Sequence, residues 1–260
     1  FCSSCLGGKI HVFDDRCIYS YIPLSDEPGL WGAYSEYMFV HGNSIVHKMD
    51  NSLPAEIAVM FNPLGAGYRW AVEVPGTGPG DTVVILGPGQ RGLASVLACK
   101  DAGAAKIIVT GLAADAEKLR IARAFGAHHT IDVENENAKQ RIKELTGGKG
   151  ADIVVDVTSY AVEPVAESLS YVRSGGTIVL AGMKGYKNIP GFVSDKIMMK
   201  EITIKGVIGV TSTGYEKAIN LIESGIAPLA MMHTHNFDLR EAERAIQVLA
   251  REIQIGRAHV

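Results

Sequence analysis

The stretch Thr82-Val-Val-Ile-Leu-Gly-Pro-Gly-Gln-Arg-Gly-Leu93 carries a run of β-branched and aliphatic residues directly into a Gly87-x-Gly89-x-x-Gly92 turn and then into an apolar-periodic segment. Strand, glycine turn and helix in that order make a pyrophosphate cradle. The first glycine forms the tight turn, the second lets the backbone approach the phosphates, and the third lets the helix pack close to the strand. The helix start then presents unpaired N–H groups and the positive end of its dipole to an anion, here from Gln90, Arg91 and Gly92. The predicted cofactor contacts in this turn are therefore Gly87, Gly89, Gln90, Arg91 and Gly92.

Downstream the alternation of β-branched runs and amphipathic stretches continues. Strands are predicted at 82–86, 106–110, 129–132, 152–157, 177–181 and 202–208, with helices at 93–102, 116–125, 138–146 and 162–172. Gly103, Gly126 and Gly147 follow three of these helices, as helix stops do. Six strands alternating with helices predict an α/β fold with a doubly wound, six-stranded parallel sheet.

A site for NAD ordinarily has an acidic residue about 20 positions beyond the turn, at the end of the second strand, to hold the ribose hydroxyls. Gly111 stands there, 19 residues after Gly92. The missing carboxylate removes repulsion against a 2′-phosphate, so both NAD and NADP are open. Asp115 in the same loop is a second candidate for the ribose. Lys118 has two readings, as a partner of ribose or phosphate oxygens and as a solvated helix charge.

The chain has 260 residues, 47% of them hydrophobic and 20% charged, enough for a large core. Twenty-five Lys and Arg against 28 Asp and Glu leave a net charge of −3 without blocks of one sign. That composition argues against nucleic acid and membrane surfaces as partners. No apolar run has the length of a membrane span and no basic-then-apolar leader opens the chain, so the expected location is the cytoplasm. Four cysteines do not make a disulfide scaffold in a chain of this size, and Cys99 reads as a small buried hydrophobe.

Residues 1–65 lack the strand–helix alternation and scatter Gly, Pro, aromatic and Asp residues, so they are assigned to another domain. The tail after Gly209 offers helices at 214–224 and 239–251 around an extended piece at 234–237, and is expected to fold back on the first segment. The chain starts at Phe1 rather than Met, which is read as a truncation. Its last six residues, Ile255-Gly-Arg-Ala-His-Val260, are what ATC GGA AGA GCA CAC GTC would encode, a string resembling a sequencing adapter. They are excluded from the fold.

Several segments together carry a family resemblance: Gly32-Ala-Tyr-Ser-Glu-Tyr37, Asn62-Pro-Leu-Gly-Ala-Gly67, Pro79-Gly-Asp81, the glycine turn, Ala124-Phe-Gly-Ala127, Arg173 to Gly182, and Phe237 to Ala245. The chain resembles a medium-chain, zinc-type alcohol dehydrogenase lacking its N-terminal part. The resemblance implies a Rossmann domain over 68–209 and part of a mainly β, GroES-like catalytic domain from 1–67 and 210–254, with the substrate cleft between them. It implies that Ala181, Gly182 and Met183, with Val207, Ile208 and Gly209, flank the nicotinamide. It also implies a homodimer or homotetramer formed through the sixth strand.

The family's zinc chemistry transfers only in part. Its early Cys and its Gly-His-Glu motif would lie upstream of Phe1. The remaining ligand position, 25 residues before the turn, is Asn62, and a neutral amide is a poor ligand beside thiolate, imidazole or carboxylate. Asn62 reads equally as a turn residue before Pro63. Cys2, Cys5 and Cys17 partly match the family's structural-zinc lobe. Gly8 occupies the third place and Arg16 the fourth, one residue short of Cys17, so a degenerate lobe without metal is the preferred reading. His128 and His129 read as surface or strand-start residues, His41 and His47 could line the cleft, and His233 and His235 fall on one face of an extended piece, where two ligands make no metal site.

The leading expectation is an oxidoreductase that moves hydride between NAD(P) and a small alcohol or carbonyl. Two alternatives remain open at the sequence: a zinc-independent NADPH quinone- or enoyl-reductase-like enzyme, and a cofactor-binding protein without catalysis.

Overall fold

The computed structural model describes residues 19–250 and 252–253. Cys2, Cys5, Cys17 and the terminal hexapeptide lie outside the described residues.

In chain order the helices are α1 (Ala55–Ala58), α2 (Phe61–Tyr68), α3 (Gln90–Asp101), α4 (Ala116–Phe125), α5 (Ala138–Leu145), α6 (Glu163–Tyr171), α7 (Asp195–Lys200), α8 (Ser212–Ser224) and α9 (Ala242–Leu249). The strands are β1 (Thr82–Leu86), β2 (Lys106–Gly111), β3 (His129–Asp132), β4 (Ala151–Asp156), β5 (Val172–Leu180) and β6 (Thr203–Gly206). All pair in parallel in the order β3-β2-β1-β4-β5-β6, the doubly wound order expected from the sequence.

The central strands carry apolar runs, Val83 to Leu86, Ile107 to Val109 and Ile153 to Val155, because both faces of the sheet are covered there. Val83 and Ile85 of β1 point to one side, where Leu93, Val96 and Leu97 of α3, Ile121 and Phe125 of α4, and Leu64 of α2 pack. Val84 and Leu86 point to the other, against Ile142 of α5 and Leu169 of α6. Each such side chain removed from water contributes about 1.5–3 kcal/mol.

β5 begins earlier than predicted, at Val172, straight out of α6. The Arg-Ser-Gly-Gly segment reads as a turn, yet Arg173 Nε donates to Asp152 Oδ1 at 2.6 Å and holds it beside β4. The glycines are absorbed by a register shift between Ala151 and Ile153.

Helix α2 has no counterpart in the sequence reading, because Pro63, Gly65 and Gly67 argue against a helix. Pro63 falls in the first turn, where no intrahelical N–H bond is lost. Gly67 lets α2 press onto α3, since a Cβ there would lie 2.6 Å from the Ala94 carbonyl carbon. Asn62 is accordingly a first-turn helical residue and not part of a reverse turn.

Met49–His233 form one compact unit, wider than the expected 68–209 because α2 and α8 pack against each other within it. Among the described residues, those from Thr234 onward cluster instead with those up to Lys48. In that second unit Trp31 is buried, its ring 5.9 Å from that of Tyr19 and 5.3 Å from that of Phe39. Its indole N–H donates to Asp26 O at 2.9 Å. Among the described residues no strand forms outside the six-stranded sheet, and 234–237 is irregular. No helix among them is long and apolar enough to cross a membrane.

Candidate cofactor-binding site

Strand order reverses between β1 and β4, and at such a switch point the carboxyl ends of the strands open a crevice. The registers Leu86↔Asp156 and Asp156↔Leu180 put the ends of β1, β4 and β5 level. The segments that follow these three ends form the candidate site.

After β1, Gly87 takes φ +99°, a left-handed conformation that favours glycine. Gly92 passes so near it that a Cβ would lie 1.9 Å from the Gly87 carbonyl oxygen. Gly89 differs from both. It caps α3 with φ −64° and ψ 177°, and a Cβ built on it would meet nothing within 4 Å. The first and third glycines are therefore required by the fold, whereas the second opens space in front of a helix N-terminus. Such a cradle fits a dinucleotide pyrophosphate. The Arg91 guanidinium lies 5.1 Å from the centre of the Trp70 ring.

On the other side of the turn, Gly111 ends β2 beside Pro88. Lys118 is not a solvated charge: its ammonium pairs with Asp115 Oδ1 at 3.1 Å and both side chains are 12% exposed. Asp115 also accepts from the Leu112 N–H at 3.2 Å, which fixes the loop after β2. The two ribose candidates are thus brought together as one ion pair.

After β5, the Ala181 and Gly182 N–H groups both donate to Asp156 O at 3.0 Å, and the Val207 N–H donates to Leu180 O at 3.1 Å. The predicted segments 181–183 and 207–209 therefore lie side by side. Trp70 Nε1 donates to Gly209 O at 2.9 Å, and a Cβ on Gly65 would meet Val210 Cγ1 at 2.9 Å, so α2 runs next to this end of the site. Sequence reasoning missed Asp156, Thr158 and Lys184, which bond to one another here. The available signal was a charged residue closing β4 straight after its apolar run Ile153-Val-Val155.

Asn62, one turn before Gly65, sends Nδ2 to Tyr215 Oη at 3.2 Å. Burial pushes the Tyr215 phenol up, against the opposing effects of Asn62 and the Arg91 cation. Among the described residues no three His, Cys, Asp or Glu side chains come together as a metal site. With Asn62 engaged by a phenol, the described side chains do not fit a zinc centre. His128 accepts the Ile107 N–H at 3.0 Å, and His41 accepts the Asn43 N–H at 3.1 Å, which are structural roles. Burial, then the nearby Lys106 and Arg141 cations, lower the His129 pKa. His235 bonds its neighbour Thr234 at 3.0 Å.

Comparison with known proteins agrees with this geometry. The family model described as zinc-binding dehydrogenase matches residues 92–224. A probable alcohol dehydrogenase of Mycobacterium tuberculosis is 41% identical, over 96% of this chain and 70% of its own. Sorbitol dehydrogenase of Bacillus subtilis is 29% identical over 95% of this chain and 66% of its own. Among solved structures, an alcohol dehydrogenase of Thermotoga maritima superposes with a TM-score of 0.88 at 24% identity, covering 97% of this chain and 70% of that one. A zinc-dependent alcohol dehydrogenase from Streptococcus pneumonia gives 0.78 at 28% identity, covering 97% and 69%. By the family match and the M. tuberculosis relative, the chain belongs to the zinc-type, medium-chain alcohol dehydrogenase family of oxidoreductases.

Proposed function

We propose that this alcohol-dehydrogenase-type oxidoreductase holds NAD(P) across the carboxyl edge of its sheet and passes hydride between it and a small alcohol or carbonyl compound. In this reading the pyrophosphate rests on Gly87, Gly89 and the N–H groups of Gln90, Arg91 and Gly92. The adenosine lies toward Gly111 and Lys118. The nicotinamide lies toward Ala181, Gly182, Met183, Val207, Ile208 and Gly209. The cofactor supplies the hydride chemistry, and the protein orients it and shields it from water.

The carrying observation is the contrast at the turn: Gly87 and Gly92 are sterically required, while Gly89 borders open space at the start of a 12-residue helix. Either cofactor is accommodated, because Gly111 presents no carboxylate to a 2′-phosphate and Lys118 stands close by. The test is fluorescence titration with NADH and NADPH. Saturable binding is expected in the protein and is lost in Gly89→Val, and absence of binding by the unaltered protein overturns the reading.

The open side of β6, the outer strand of the sheet, is the proposed homodimer or homotetramer contact. Light scattering that gives a monomer would contradict it. Metal analysis of the purified protein tests the zinc content that the family implies.

A further inference from the structure

The two segments that take the dinucleotide in the reading above are joined by a side-chain cluster that the glycine pattern does not announce. Thr158, two residues past the end of β4, stands between them. A Cβ on Gly87 would lie 2.9 Å from Thr158 Cγ2, and a Cβ on Gly182 would lie 1.9 Å from the Thr158 carbonyl oxygen. The Thr158 hydroxyl donates to Asp156 Oδ1 at 2.5 Å, and its N–H donates to the same oxygen at 3.0 Å. Lys184, two residues past Gly182, reaches back to both. Its Nζ donates to Thr158 O at 2.6 Å and to Thr158 Oγ1 at 2.8 Å, and pairs with Asp156 Oδ2 at 2.8 Å. The Asp156 side chain is fully buried and that of Lys184 is 11% exposed.

Stability does not require an ion pair in this place. Taking two charges out of water costs several kcal/mol, and well-packed apolar residues commonly serve as well or better. What such a polar cluster adds is a single geometry, because several lengths and angles must be met at once. The Lys184 ammonium gives two hydrogen bonds to Thr158 and one ion-pair contact to Asp156 Oδ2, an oxygen that takes no hydrogen bond, so it is not a reserve cation waiting for an anionic ligand. Its contacts instead fix the distance between the loop after β4 and the loop after β5. The backbone adds to this: the Tyr160 N–H donates to Met183 O at 2.9 Å, which holds Met183 in place.

We propose that Lys184 is a positioning residue for the nicotinamide half of the dinucleotide, tying the loop after β5 to Asp156 and Thr158 and so setting the slot between Gly182 and the Gly87 turn. The proposal rests on the cofactor reading given above. Lys184 acts through Thr158 and Gly182, and the adenosine half, toward Gly111, lies beyond its reach.

The test compares NADH, which fills both halves of the site, with ADP, which fills only the adenosine and phosphate half. In the purified protein, Lys184→Met is expected to weaken NADH about tenfold, the scale of losing charge-assisted hydrogen bonds, with ADP affinity unchanged. Lys184→Arg should recover part of the loss. Thr158→Val keeps a methyl group beside Gly87 while removing the hydroxyl; it is expected to show the same split to a smaller degree and decides the matter alone if Lys184→Met does not fold. Equal losses for NADH and ADP, or unchanged NADH binding, overturn the positioning role. An unaltered protein that binds neither ligand overturns the cofactor reading itself, and this inference with it.

Discussion

Pro88 lies against Gly111 so closely that a Cβ on Gly111 would stand 2.9 Å from Pro88 Cγ and 3.2 Å from Leu119 Cδ2. The proline ring of the glycine turn therefore fills the room in which a ribose-binding carboxylate would begin. Gly111→Asp alone is expected to weaken NADH and NADPH alike, because the new side chain displaces the turn. Combined with Pro88→Ala, the same aspartate should favour NADH over NADPH by about tenfold through ribose hydrogen bonds and repulsion of the 2′-phosphate. Parallel titrations of the two variants check this. Improved NADH binding in the single variant would show that Pro88 is no obstacle.

Gly89 and Gly92 should part company under substitution. Gly92→Ala places a Cβ 1.9 Å from the backbone oxygen of Gly87, which has no rotamer to escape into. It is expected to cost about 1–3 kcal/mol of stability and to abolish dinucleotide binding as the turn is pushed open. Gly89→Ala adds its methyl group to open space at an ordinary φ of −64°. The melting temperature should hold while NADH affinity falls. Thermal melts and fluorescence titration on both variants make the comparison, and a Gly89→Ala protein that binds normally would remove Gly89 from the site.

The α/β alternation and the sheet order were legible because the central strands β1, β2 and β4 carry aliphatic runs buried on both sides and the helices that cover them show one apolar face. Helix α2 was not legible, since Gly67 answers to α3 and Gly65 to Val210 and Tyr215, and not to local propensity. Among site residues the glycine turn could be read because close backbone approach leaves only glycine as a solution. Asp156, Thr158 and Lys184 could not, because their meaning lies in three chain segments arriving at one point. Lys118 looks like any helix-surface lysine until the loop after β2 folds Asp115 onto it.

Cys99 should be chemically silent in the folded protein. Its side chain is fully buried with Sγ 3.7 Å from Ala71 O, and burial, aided by the Asp81 charge, pushes the thiol up to about 12. Thiolate is the reactive species, so at pH 8 almost none is present, and access is closed as well. In a variant with Cys2, Cys5 and Cys17 replaced by serine, an aromatic disulfide reagent is expected to release no colour from native protein and one equivalent after denaturation. Rapid native labelling would mean that α3 opens locally.

Asp152 ties the starts of three strands together, accepting the Thr82 N–H at 2.7 Å and the Arg173 Nε–H at 2.6 Å. Burial raises its carboxyl pKa, but the Thr82 N–H and the Arg173 guanidinium outweigh that and leave it below the usual carboxylate value. A carboxylate whose folded pKa is depressed contributes stability that is complete above its unfolded pKa, about 3.9, and is lost as pH falls through the folded value. Asp152→Asn is accordingly expected to cost about 1–3 kcal/mol at pH 7. The deficit should shrink as pH drops below about 4, where the unaltered protein protonates the same oxygen. Urea melts of the two proteins at pH 7, 5, 4 and 3 read the difference directly, because every other carboxylate titrates in both and cancels. A deficit that stays constant to pH 3 would place the effect in packing and not in the charge. Arg173→Met should remove less, since the arginine side chain is 41% exposed. The double variant should cost less than the sum of the two, because the same contact cannot be lost twice.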